Sequence, residues 1–251
     1  MSSPDRVSDL TARLAAARAR LARAAESAGR RVEDIALLPV TKFFPASDVA
    51  VLWRLGCRAF GESRDQEAVA KIEQFEALLA EQGQQGGARW HMVGQIQRNK
   101  AKSIAQWADT VHSVDSAKVA AALDRAAGQA LAERRRAGPL RVFVQVSLDG
   151  DTTRGGVSIT DPGAVDRLCA QVAAAGALRL VGLMAIPPVG ADPDTAFAAL
   201  ACEHRRILQA HPAATELSAG MTDDLEAAVR HGSTCVRVGT ALMGQRPLPS
   251  P

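Results

Sequence analysis

The chain has no tyrosine, and phenylalanine and tryptophan together make up only 4% of it. The missing phenol removes one common general acid before any mechanism is considered. Long apolar runs are also missing: nothing approaches the roughly 20 residues that a bilayer crossing needs, and the N-terminus lacks the apolar core of an export signal. Arg13, Arg18, Arg20 and Arg23 suggest an organelle transit helix, but Asp5, Asp9 and Glu26 stand among them, and transit peptides avoid acids. They read instead as the solvated basic face of an amphipathic helix. Neither sign of charge dominates. The 30 Lys and Arg against 27 Asp and Glu leave a formal net charge of +3 with no dense basic tract, which argues against a nucleic-acid partner. Cys57, Cys169, Cys202 and Cys235 lie far apart without a CxxC spacing, so free thiols in a reducing compartment are expected rather than a zinc site. The five histidines include no metal-ligand pair such as HExxH. Together these absences point to a cytoplasmic protein with no membrane partner.

What the chain does have is alternation. With 251 residues and a hydrophobic fraction of 47%, it is long enough for one large core. Leu10, Leu14, Ala17 and Leu21 recur at helical spacing and predict an N-terminal helix. After it, short apolar runs at 35–40, 58–60, 89–93, 110–113, 140–146, 178–183, 215–217 and 235–238 predict strands. The stretches 46–55, 65–79, 99–107, 116–136, 162–175, 193–210 and 223–230 between them predict helices. About eight strand–helix units with right-handed crossovers imply a closed parallel barrel. The expectation is an α/β protein: a single (β/α)8 TIM-type barrel over residues 1–251, with residues 1–30 an extra N-terminal helix packed on it. Asp223 and Glu226 have capping-box spacing, and Gly232 marks the stop of that helix. Pro39 is discordant inside the first strand, because proline cannot donate to a central ladder.

In such a barrel the functional groups gather where strands end. The strand exits here contain one lysine, Lys42, together with glycines, small hydroxyls and Arg237. Lys42 follows IALLPV and precedes Phe43 and Phe44; an apolar setting favours the neutral amine that Schiff-base chemistry requires. At the last strand, Gly239 lets backbone approach a ligand, and Thr240 adds a hydroxyl and an N–H near a helix start. Barrel phosphate sites often use the last two strand exits, which brings Ser218 and Gly220 to the same corner. A lysine beside a phosphate cradle suits an aldehyde-bearing phosphate. Asp223 and Asp224 read as acids favoured at a helix N-terminus. The polar loop Gln97-Arg98-Asn99-Lys100 reads as solvated.

The stretches LLPVTKFFP (37–45), FGESRDQEAVAKI (60–72), WHMVGQIQRNKAKSI (90–104), VGLMAIPP (181–188), LSAGMTDDLEAAVRHGST (217–234) and VRVGTALMG (236–244) resemble, in order and over most of the chain, the pyridoxal phosphate homeostasis protein family. The resemblance implies a barrel of the alanine-racemase type that binds pyridoxal 5′-phosphate. The family's Schiff-base lysine falls on Lys42, its phosphate-binding serine on Ser218, and its glycine–threonine pair on Gly239 and Thr240. Arg237 is then the arginine facing the pyridine nitrogen, and Met184 lines the cofactor's ring. The family's usual Gly-Glu-Asn reads Gly61-Glu62-Ser63, so Ser63 takes the place of an amide contact. The usual Ser-Met-Gly-Met-Ser reads Ser218-Ala219-Gly220-Met221-Thr222.

Two functions compete on this footing. A racemase-like, pyridoxal-phosphate-dependent enzyme acting on amino acids needs acid/base groups on both faces of the cofactor. In barrels of this type a tyrosine from a second domain of the partner subunit serves one face. This chain has no tyrosine and stops at Pro251 soon after the last strand, so no second domain is expected. The other reading, a monomeric carrier that takes part in intracellular pyridoxal phosphate homeostasis and exchanges the cofactor with amino acids or apo-enzymes, is the expectation adopted.

Overall fold

The short apolar runs form strands and the stretches between them form helices. The computed structural model describes residues 3–245. In chain order the strands are β1 (Ala36–Pro39), β2 (Ala59–Glu62), β3 (Arg89–Met92), β4 (Thr110–Val114), β5 (Leu140–Ser147), β6 (Val157–Ser158), β7 (Leu178–Ala185), β8 (Glu216–Ser218) and β9 (Cys235–Val238). They pair in parallel in the order β1-β9-β8-β7-β5-β4-β3-β2, with the two-residue β6 added to the end of β5. A single bridge between Val40 and Gly61 brings β1 back to β2, so eight strands make a nearly closed TIM barrel. The helices that surround it are α1 (Pro4–Ser27), α2 (Ala46–Arg54), α3 (Asp65–Ala80), α4 (Ala101–Trp107), α5 (Ala117–Ala132), α6 (Pro162–Ala174), α7 (Pro193–Ala210), α8 (Leu225–Arg230) and α9 (Thr240–Met243).

Pro39 belongs to β1 after all, and the seam explains how. The N–H groups of Ala36 and Val40 both donate to β9, at the carbonyls of Thr234 (2.8 Å) and Val238 (2.9 Å). The twofold alternation of a strand then puts the Pro39 nitrogen on the β2 side. There β1 bonds only from Val40 onward, so the missing donor leaves no ladder position empty.

The predicted N-terminal helix buries Leu10, Leu14, Ala17 and Leu21. Its arginines are more engaged than a solvated face would be. Arg18 donates to the Leu55 carbonyl, Arg20 pairs with Glu226 at 2.6 Å, and Arg6 pairs with the buried Asp48 at 2.7 Å. Charge therefore ties α1 to α2 and α8. That role of Glu226 also dissolves the expected capping box: α8 starts at Leu225, and Asp224 accepts from the Met221 N–H instead. The helix start expected at Thr240 is there, as the four-residue α9. Cys57, Cys169 and Cys235 are buried free thiols, as expected, whereas Cys202 is exposed. Burial pushes Cys169 up to about 12 and Cys235 up to about 11.

Inside the barrel runs a chain of polar groups. Arg237 Nη1 donates to Ser218 Oγ at 2.6 Å, Ser218 Oγ is 2.9 Å from His112 Nδ1, and His112 Nε2 is 2.8 Å from His91 Nδ1. Arginine can only donate. One run of donors fits all three contacts: Arg237 to Ser218, the Ser218 hydroxyl to His112, and the His112 Nε2–H to His91. Both rings are held neutral. Burial, then Arg89 and Arg141, lower His91 to about 3; burial, then His91 and Arg237, lower His112 well below its ordinary value. His112 also packs against Phe143, ring centroids 4.6 Å apart.

A histidine whose native pKa lies below its unfolded value takes up a proton on unfolding. Stability is therefore complete above about pH 6.5 and falls as pH drops towards the native pKa, by about 1.4 kcal/mol per pH unit for each such ring. Urea titrations between pH 6.5 and 5 are expected to show this slope, and His112→Gln, which keeps polar atoms near Ser218, to make it shallower. An unchanged slope in the variant contradicts the neutral interior.

Candidate functional site

The exit of β1 is a tight turn. Thr41 donates its N–H to Gly61 across the seam (2.9 Å), and its carbonyl accepts the Phe44 N–H (3.1 Å). Lys42 and Phe43 occupy the middle. Phe43 has φ of 70°, the left-handed region where a side chain is strained. Its ring lies 5.8 Å from the Lys42 ammonium and 5.3 Å from the Arg64 guanidinium. Beneath the turn, Thr41 Oγ1 donates to Glu62 Oε1 at 2.6 Å, and the Lys71 ammonium donates to the same oxygen at 2.7 Å. Burial raises the Glu62 carboxyl, and Lys71 with the two hydrogen bonds pulls it back.

Lys42 projects into a cavity of about 300 Å³, at the small end of the size range of ligand pockets. Facing it are Arg237, Gly239 and Thr240 from the exit of β9, and Met221, Thr222 and Asp223 from the loop after β8. Val40, Phe43, Phe44, Val93 and Ile186 supply apolar walls. Gly220, at φ of 91°, makes the sharp turn that returns this loop to the mouth; a Cβ there would come within 2.5 Å of the Ala228 Cβ. The short helix α9 closes on Gly239, whose carbonyl accepts the N–H groups of Leu242 (3.0 Å) and Met243 (2.8 Å), and this sets Thr240 at the cavity wall. One wall thus carries an amine and the opposite wall carries hydroxyls and a guanidinium. That polarity suits an anion at one end and a carbonyl at the other.

Of the residues anticipated from sequence, Lys42, Arg237, Gly239 and Thr240 line this one cavity. Ser218 does not: it is fully buried behind the wall, its hydroxyl committed to Arg237 and His112. Met184 is also behind the wall, buried with Phe143 and Val181, and Ile186 takes the lining position two residues on. Ser63 lies in a separate polar cavity of about 390 Å³ with Gln95, Gln97 and Lys100. The Gly94 backbone presses on it so closely that a Cβ there would fall 2.1 Å from the Ser63 carbonyl oxygen. Thr222 was missed. Its signal was a hydroxyl two residues past a glycine turn at a strand exit. Asp223, read as a helix acid, also lines the cavity. Among the described residues no helix is long and apolar enough to cross a membrane, and no cluster of metal-binding side chains occurs.

The residues matched by the family described as alanine racemase, N-terminal domain, are 13–247. A pyridoxal phosphate homeostasis protein of Mycobacterium tuberculosis is 64% identical over 250 residues, which is 99% of this chain and 97% of that protein. The structure of PipY from Synechococcus elongatus with PLP bound superposes with a TM-score of 0.76 at 32% identity, covering 94% of this chain and all of that one. The alanine racemase of Bartonella henselae shares the fold alone, at 13% identity and a TM-score of 0.63, and this chain covers 62% of it. The chain belongs to the pyridoxal phosphate homeostasis protein family, built on the barrel of the alanine racemase N-terminal domain.

Proposed function

We propose that the protein binds pyridoxal 5′-phosphate through Lys42 and takes part in holding the free cofactor level in the cell, as a monomer and without turnover of amino acids. The observation that carries this reading is the placement of a single lysine across one small cavity from Thr222, Gly239, Thr240 and Arg237. The residues fit the group. Its aldehyde is matched by the one amine, its phosphate by the hydroxyls of Thr222 and Thr240, and its ring by the apolar walls of Val40, Val93 and Ile186. Pyridoxal phosphate supplies an aldehyde that amines take up reversibly and a ring that delocalises negative charge.

The chain's residues favour holding over turnover. Racemisation requires a proton donor and acceptor on opposite faces. The sequence has no tyrosine, and both barrel histidines are neutral and spent on each other and on Ser218. Arg237, anchored by Ser218 Oγ and the Ala185 carbonyl (3.0 Å), presents a permanent cation where an electron sink would want a carboxylate. The close relatives are named for homeostasis and not for a catalysed reaction. The racemase reading keeps one observation in its favour, Asp223 in the same cavity as Lys42.

Purified protein incubated with the cofactor is expected to absorb in the visible and, after borohydride, to carry one adduct on the Lys42 peptide; Lys42→Ala is expected to lose both. Chiral analysis of L-amino acids incubated with the loaded protein is expected to show no Lys42-dependent inversion, and inversion lost in Asp223→Asn would establish the racemase. Thr222→Val and Thr240→Val are each expected to weaken cofactor binding about tenfold, the loss of one hydrogen bond to a charged group. Ser218→Ala is expected to leave affinity for the phosphate end near wild type, because its hydroxyl serves Arg237. Fluorescence titration with pyridoxal phosphate, and with inorganic phosphate as competitor, separates the three variants.

A further inference from the structure

Two buried charges outside the cavity lie one residue away from its lysine. Lys71, in the second turn of α3, and Glu62, the last residue of β2, are 7% and 0% exposed, and neither lines the cavity that holds Lys42. Burying an ion pair is a poor way to add stability, because desolvation offsets the attraction unless further hydrogen bonds satisfy the remaining atoms. Here they do not: Glu62 Oε2 is buried without a partner. Apolar residues would fill the same space at no such cost. They would not, however, do what the ammonium does, which is to donate to the Thr41 carbonyl at 2.8 Å.

That carbonyl closes the turn carrying Lys42. It accepts the Phe44 N–H from one side and Lys71 from the other, while Thr41 Oγ1 shares Glu62 Oε1 with Lys71. The turn it closes is strained, with Phe43 left-handed at φ of 70°. Strain of this kind persists only where surrounding contacts over-determine the backbone. We propose that Lys71, oriented by Glu62, is the positioning residue for Lys42: it clamps the Thr41 carbonyl and so holds the 41–44 turn in the strained form from which Lys42 enters the cavity. This rests on Lys42 being the residue that takes the cofactor's aldehyde. Lys71 touches neither the cavity nor its contents and acts through the turn. The amide of Glu62→Gln still offers an oxygen to Lys71 and Thr41, so the geometry, and not the carboxylate's charge, is the working part.

The test uses the full chain and timed borohydride quenching, which reads how fast pyridoxal phosphate becomes fixed to Lys42, beside thermal unfolding of the unloaded protein. Glu62→Gln is expected to attach within about twofold of wild type, since small losses follow when an interaction is weakened but kept. The double variant Glu62→Gln/Lys71→Met removes the ammonium together with the charge it balances. It is expected to melt near wild type and to attach about tenfold to a hundredfold more slowly, the usual cost of a misplaced reacting group. Because position and not protonation is changed, the slowing should be the same at neutral and mildly alkaline pH. Glu62→Gln/Lys71→Gln keeps a polar side chain at that depth but one too short to reach the Thr41 carbonyl as the ammonium does, and is expected to slow attachment as well, so a Met variant that fails to fold does not shield the idea. Attachment at the wild-type rate in either variant, or a loss in the double variant that high pH restores, overturns it. If the wild type attaches no cofactor, or Lys42→Ala attaches it as fast, the fault lies with the assignment of Lys42 itself.

Discussion

Closure of the barrel at one seam is the constraint on which the site depends. β1 meets β2 only at the Val40–Gly61 bridge and the Thr41 N–H. A parallel sheet closes only when its first and last strands reach each other, and here they do so in the two residues before Lys42. The seam tolerates Pro39, because the nitrogen of that residue faces the unpaired side. It also leaves the exit of β1 with few backbone partners. Side chains supply the rest: Thr41, Glu62 and Lys71 tie the first strand exit to the second.

The opposite wall is held by another economy. Arg237 is 5% exposed and bonds to no carboxylate; its partners are Ser218 Oγ and the Ala185 carbonyl. A buried cation of this kind disfavours a second positive charge beside it, and the two histidines behind it stay neutral, both lowered by burial and His112 in part by Arg237. The barrel interior therefore works as a neutral bracket, with one positive end directed at the mouth. Moving that end would mean re-pairing Ser218, His112 and His91 in turn, so the guanidinium is fixed in orientation as firmly as an apolar core residue.

Much of this was readable from sequence, for reasons that differ by element. The eight strands show as apolar runs because a parallel barrel buries both faces of each strand. Lys42, Gly239 and Thr240 could be placed at one cavity from sequence because a barrel gathers its strand exits at one mouth and those exits are marked by non-apolar residues. Ser218 and Thr222 were harder to tell apart. Both are small hydroxyls beside Gly220, and which one faces the mouth depends on where β8 ends and on Arg237 needing an acceptor, neither of which is a local property. Met184 was displaced by Ile186 for the same reason: a strand that ends two residues later turns a different side chain to the cavity. Glu62 and Lys71 were invisible as a pair. In sequence they read as an ordinary strand-end acid and an ordinary helix lysine, and only the crossing of α3 over the seam brings them within 2.7 Å.

The distribution of unfavourable features carries information that their number does not. A left-handed Phe43, a proline inside a strand, a buried ion pair and an unpartnered Glu62 oxygen all fall between residues 39 and 71. The corner formed by Thr222, Gly239 and Thr240 is a glycine turn, a helix start and hydroxyls, and the costly group beside it is Arg237, a buried cation held by Ser218 Oγ and the Ala185 carbonyl. An anion can be held by such ordinary parts, because backbone donors tolerate some latitude in its position. A covalent partner cannot, because a bond forms only from a narrow range of approach. On the reading proposed for Lys42, the backbone strain and the buried ion pair collect on the side where a covalent bond would form, and the opposite wall carries one fixed cation, Arg237.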